Sequence, residues 1–157
     1  MSGGTDPGRP DLLARADLLA RFVGAPARIG DLARAWVASG RHVPAGEWGP
    51  SEIVRHLVAV EREVWWIRLP ALRDEDEPRW SWAEPGLEPA LEGATLDAIL
   101  GRFAEARARS VAILDDFDEA TWAKTGVHAT YGRLDAAGLL RIATDHDDEH
   151  ARSLAAG

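Results

Sequence analysis

The chain has 157 residues, 46% apolar and 28% charged, with 15 Gly and 9 Pro, a composition that fits one globular domain and excludes a disordered tail. Its 18 Lys and Arg against 26 Asp and Glu leave a formal charge of −8, which repels phosphate backbones and anionic lipid, so neither nucleic acid nor a membrane is an expected partner. With no cysteine, disulfides, thiolate metal sites and cysteine nucleophiles are excluded, and any metal must be held by His, Asp or Glu.

Residues 1–10 are rich in Gly, Pro and Asp and read as a flexible leader rather than a signal peptide. No apolar run approaches the roughly 20 residues of a membrane span, and the expected location is the cytoplasm. From residue 11 to 157 the dominant period is helical. Leu12, Ala16, Leu19 and Val23, continued by Ile29, Leu32 and Trp36, predict a first helix from about Asp11 to Val37, kinked or broken near Pro26. Gly49-Pro50-Ser51 opens a second, since Pro suits the first helical position, with a stripe of Ile53, Leu57, Val60, Val64, Ile67 and Ala71.

A connection of about 20 residues follows, Asp74 to Ala94; that length is uncommon unless the segment covers something or is mobile. It carries Trp80 and Trp82, which are candidates for a pocket wall or lid. Trp48, Trp65, Trp66 and Trp122 read as packing residues. Thr95 caps a third helix through Leu96, Ile99, Leu100, Phe103, Ala106 and Leu114. A second long connection, Asp115 to Arg133, includes a short helical turn at Asp118 to Trp122. Asp135 caps a fourth helix through Leu139, Ala143, His146, His150 and Leu154. No segment sustains period-two alternation, so next to no sheet is expected, and four amphipathic helices in one domain predict an all-α four-helix bundle.

His146-Asp-Asp-Glu-His150 is the sharpest feature. Residues four apart on a helix share a face, so both imidazoles can reach one ion. They also continue the Leu139, Ala143, Leu154 line and point inward, where an unpaired ring is costly. His56, about 60° from Ile53 around the second helix, can look into the bundle as a third ligand, or stand at the helix edge bonded to a backbone or carboxylate group. Three neutral imidazoles from two helices would leave a coordination position open, as in catalytic rather than structural zinc, and would also suit nickel, iron or other first-row ions. His42 and His128 read as solvated loop residues. The string also matches the H-x-x-E-H of inverted zinc peptidases, but these take a third ligand well downstream and only seven residues remain. Di-iron carboxylate bundles need Glu-x-x-His, which is absent.

Trp48-Gly-Pro-Ser-Glu-Ile-Val-Arg-His56-Leu, then Gly126-Val-His128-Ala-Thr-Tyr-Gly132-Arg-Leu, then His146-Asp-Asp-Glu-His150 resemble, in order and separation, the three signature regions of the DinB-like superfamily of YfiT-like metal-dependent hydrolases. Ala129 stands where a proline is common and Asp135 where a threonine is common; neither departure removes a ligand. The resemblance implies a four-helix bundle, often a homodimer, with a divalent metal on His56, His146 and His150: zinc or nickel first, iron or manganese as further options. Members with known activity include thiol-dependent transferases and isomerases that use bacillithiol, mycothiol or glutathione. Such a low-molecular-weight thiol cosubstrate would have to bring the sulfur that this chain lacks.

With a metal in place, both hydrolysis and thiol transfer need a nearby proton acceptor or orienting carboxylate. Glu63 is the first candidate, two turns beyond His56 and about 20° away around the axis of an ideal helix. Glu149 and Asp147 come next; each of the three also reads as a solvated helix-face carboxylate. The expected function is metal-dependent hydrolysis or thiol-dependent S-transfer on a small molecule. The alternatives are a non-catalytic binder of metal or small molecules in a stress response, and a bundle whose His positions are empty.

Overall fold

The structure, a computed structural model, describes residues 12–156. The expected leader and the first-helix start at Asp11 lie outside the described residues. The fold is an all-α bundle with two long connections, as the periodicity predicts, and α1 (Leu12–Ala38) runs unbroken through Pro26, where the sequence predicts a kink or a break. A proline removes its own N–H and frees the carbonyl four residues earlier. That carbonyl, Phe22 O, accepts a hydrogen bond from Arg107 Nη1 at 2.7 Å, so the polar group is satisfied inside the core.

The second rod is a composite of α2 (Pro50–Val60), a π-helical turn (Glu61–Trp65) and α3 (Trp66–Asp74). Glu52 accepts the Gly49 N–H at 3.0 Å, which secures its start. The π turn inserts an extra residue and shifts the buried face. Ile53, Leu57, Val60 and Val64 are buried as expected, but Ile67 is 59% exposed and Ala71 only half-buried; Trp65, Arg68, Leu69 and Leu72 turn inward instead. Thr95 and Asp135 accept the Ala98 and Gly138 N–H groups and cap α4 (Leu96–Asp115) and α6 (Ala136–Ala155). The helix α6 packs along α1, and α2 packs along α4. The expected helical turn in the last connection is α5 (Glu119–Ala123).

The expectation of almost no sheet needs a correction. A small three-stranded sheet ties the two long connections together, with β1 (Arg79–Trp80) parallel to β2 (Gly126–His128) and β2 antiparallel to β3 (Gly132–Leu134). Strands of two and three residues are too short to show a period of two in the sequence. Gly126 is required for the close approach: a Cβ there would stand 2.5 Å from the Trp80 ring and 2.7 Å from the Pro78 carbonyl. Gly132, at φ +77°, supplies the left-handed residue that closes the β2–β3 hairpin.

The apolar core has two parts, one around Phe22, Trp65, Leu69 and Leu139, the other around Ile29, Leu57, Ile99 and Phe103. Arg107, on α4 and buried, lies against a ring from each, Phe22 at 4.0 Å and Phe103 at 5.3 Å. Its guanidinium bonds Glu61 on the π turn at 2.6 Å, both oxygens of Asp147 on α6 at 2.9 and 3.0 Å, and Phe22 O on α1. One cation thereby ties all four rods. Desolvation opposes its charge, but the facing Glu61 and Asp147 carboxylates outweigh that and raise its pKa above the ordinary value. Ser110 completes the set by donating to Glu61.

Candidate metal centre and its cleft

The Arg107–Asp147 bond fixes α6 where His146 and His150 flank Asp147. On the next residue, Asp148 accepts from Arg21 and Arg28 of α1. The two aspartates between the histidines therefore anchor the helix, and the histidines face α2. There His56 meets them: its ring centroid is 5.4 Å from that of His146 and 5.1 Å from that of His150. One nitrogen from each of the three residues falls within 4.8 Å of the others. His146 Nε2 and His150 Nε2 stand 3.1 Å apart.

The donor set fits a divalent ion. His56 Nδ1 lies 3.1 Å from the Gly86 carbonyl, which takes its N–H and leaves the Nε2 lone pair turned away from that bond. Burial first, and then the neighbouring imidazoles, lower the pKa of His146 and His150 to about 4, so both rings are neutral at pH 7, the form that can bind a metal. Nitrogen-only ligation by three residues leaves at least one position of a tetrahedral ion for another molecule. Trp48, 41% exposed, covers His56 from one side with centroids 5.0 Å apart.

The connection after α3 lies against α2. Arg55 donates to Glu88 O, the Glu88 N–H bonds Arg55 O, Arg62 pairs with the Glu88 carboxylate at 2.8 Å, and Arg68 Nη2 donates to Ser81 O at 2.8 Å. The length that the sequence left open thus covers something: between this strap, α2, α3 and α6 lies a cleft of about 530 Å³ that includes His56 and His146. That is room for a small molecule.

The other expected site residues divide. Glu149 lines the cleft and is exposed. Trp82, 57% exposed, also lines it, and its Nε1 donates to Glu84. Trp80 does not belong to the cleft wall: its indole packs on the core beside Gly126. Glu63 is corrected as well. It is exposed, stands 3.9 Å from Arg62 and does not line the cleft, because the π turn breaks the ideal-helix angle that linked it to His56. Asp147 is structural rather than solvated.

Sequence reasoning missed the buried Glu61, Arg68, Arg107 and His128. Glu61 was hidden because the cation that pairs with it in the core, Arg107, lies 46 residues further along the chain. His128, read as a solvated loop residue, is 1% exposed and lines the cleft. The Gly132 of its hairpin was the available signal, since a tight hairpin can carry its first residue under the strap.

The sequence model of the DinB superfamily matches residues 11–154. No curated protein is significantly similar to the chain. Among solved structures, YfiT from Bacillus subtilis, a probable metal-dependent hydrolase with an unusual four-helix bundle topology, superposes with a TM-score of 0.65 at 18% identity, over 96% of this chain and 90% of that one. At that identity the likeness speaks for the fold, while the match over residues 11–154 speaks for kinship: the chain belongs to the DinB superfamily.

Proposed function

We propose that His56, His146 and His150 hold a divalent metal ion, zinc or nickel first, and that the cleft converts a small molecule by hydrolysis or thiol-dependent group transfer. The observation that carries this reading is the meeting of three imidazoles from two helices, two of which, His56 and His146, line a cleft large enough for a substrate. A first-row divalent ion supplies Lewis acidity that lowers the pKa of a water or thiol. The chain's own residues do the rest. Gly86 O orients His56, and Arg107 and the α1 arginines hold α6 in place. Glu149, beside His150 and on the cleft wall, would accept a proton, and Trp82 would form part of the wall that holds the substrate.

Untagged, dialysed protein is expected to carry about one metal ion per chain, and His146→Ala to carry none. Turnover with an added low-molecular-weight thiol, lost in His56→Ala, would select the transferase reading over hydrolysis. Wild-type protein without metal, no different from His146→Ala, would overturn the proposal. A second reading, a non-catalytic metal binder, is favoured by one observation: with Glu63 outside the cleft, the proton acceptors the sequence offered reduce to an exposed Glu149. Metal-loaded protein that turns over no ester, amide or thiol-transfer substrate would support it.

A further inference from the structure

We propose that Arg68 and His128 form a carboxylate subsite in the same cleft, so that its ligand is a small organic acid with an apolar body. This rests on the reading of the cleft as a substrate site and adds the class of substrate. Arg68 is 7% exposed, yet among the described residues no carboxylate lies within salt-bridge distance of it. Its protein hydrogen bond is the one from Nη2 to Ser81 O. The other buried arginine, Arg107, has two carboxylates on it. A guanidinium stays charged at neutral pH even when burial lowers its pKa, so Arg68 is a buried cation without a counter-ion.

His128 supplies the second observation. Its Nδ1 accepts the N–H groups of Thr130 and Tyr131 at 3.0 and 3.3 Å, which puts the ring proton on Nε2. That Nε2 is buried and has no hydrogen-bond partner, a state native proteins rarely leave without a role. Bearing the proton, it cannot ligate a metal; it can only donate. Burial and the nearby Arg68 cation both favour the neutral ring. A planar two-oxygen anion suits one guanidinium fork and one N–H. Val60, Val64, Trp65 and Ile142 line the same cleft and suit a hydrocarbon or aromatic body. Glu84, Asp145 and Glu149, also on its wall, oppose a multiply charged anion such as phosphate.

The experiment uses full-length protein freed of metal by chelation, so that a carboxylate cannot bind through the ion, and titrates it with benzoate, benzamide and inorganic phosphate by calorimetry. Benzoate is expected to bind, with benzamide and phosphate at least about tenfold weaker, the size of one charge-assisted hydrogen bond. Arg68→Met should lose about tenfold or more in benzoate affinity. His128→Asn, whose side-chain oxygen can still accept the two loop amides but which lacks the Nε2–H, should lose several-fold. Arg152→Ala, a change at the other arginine of the cleft, should bind as wild type. If Arg68→Met fails to fold, the benzamide comparison and His128→Asn still decide. No benzoate binding, equal benzamide binding, a preference for phosphate, or a loss confined to Arg152→Ala would overturn the subsite. Benzoate binding by a protein that never takes up metal would sink the metal reading alone.

Discussion

Arg107 is the side chain on which the site's geometry depends, since it bonds Asp147, between the two α6 histidines, and reaches each of the other rods. Replacing it with Met would strand Glu61 and Asp147, 0% and 2% exposed, without a cation. The expected loss is about 3–5 kcal/mol in urea or guanidinium denaturation, the range for removing one partner of a buried ion set. Glu63→Gln, by contrast, is expected to change stability by no more than about 0.5 kcal/mol, as for an ordinary surface position, and to leave metal content unchanged. A loss of metal in that variant would return Glu63 to the site. At this scale the His146–His150 pair was legible because a four-residue spacing on a helix face is a local property, whereas the place of His56 beside it was implied only by the family resemblance. Glu61, Arg107 and His128 were not legible, because their burial depends on a partner far along the chain: Arg107 sits 46 residues from Glu61 and 40 from Asp147.

The four rods and both caps could be read from periodicity and N-cap chemistry, whereas the π turn and the sheet could not. A π turn leaves the apolar stripe of an ideal helix intact on paper, so the pattern through Ile67 and Ala71 looked sound. The actual inward face, Trp65, Arg68, Leu69 and Leu72, includes an arginine that no hydrophobic pattern would select. That shift also brings Arg68 to the cleft. The sheet carries the other half of the same wall, since His128 ends β2. Gly126→Ala would force a methyl group against Trp80 and Pro78, and about 1–3 kcal/mol of destabilisation is expected, the range for overpacking. The Val127 and Ala129 amides, which bond Pro78 O and Trp80 O at 2.8 Å, should exchange faster with solvent in that variant. Unchanged exchange there would mean that the sheet tolerates the methyl group by a shift elsewhere.

Across the whole molecule, no helix among the described residues is long and apolar enough to cross a membrane, and in a chain of net charge −8 three imidazoles meet in the bundle interior. That interior makes stability depend on pH in a definite direction. In metal-free protein His146 and His150 stay neutral in the fold down to about pH 4, while an unfolded imidazole takes up its proton near 6.5. Between those values the unfolded chain binds more protons than the folded one, so stability is fully present above about pH 6.5 and falls as the pH drops towards 4. A loss on the order of 2–3 kcal/mol per histidine sets the upper scale, and the His146→Leu, His150→Leu double variant should flatten the curve over that window. A divalent ion at a hundredfold its dissociation constant would add about 2.7 kcal/mol near neutral pH. That increment should shrink on acidification, because protons compete for the same ring nitrogens. Urea denaturation of metal-free and metal-supplemented protein across the window separates the two effects. If the metal-free protein is equally stable throughout while the double variant behaves the same way, the histidines are not held neutral by burial, and the preformed ligand set is wrong.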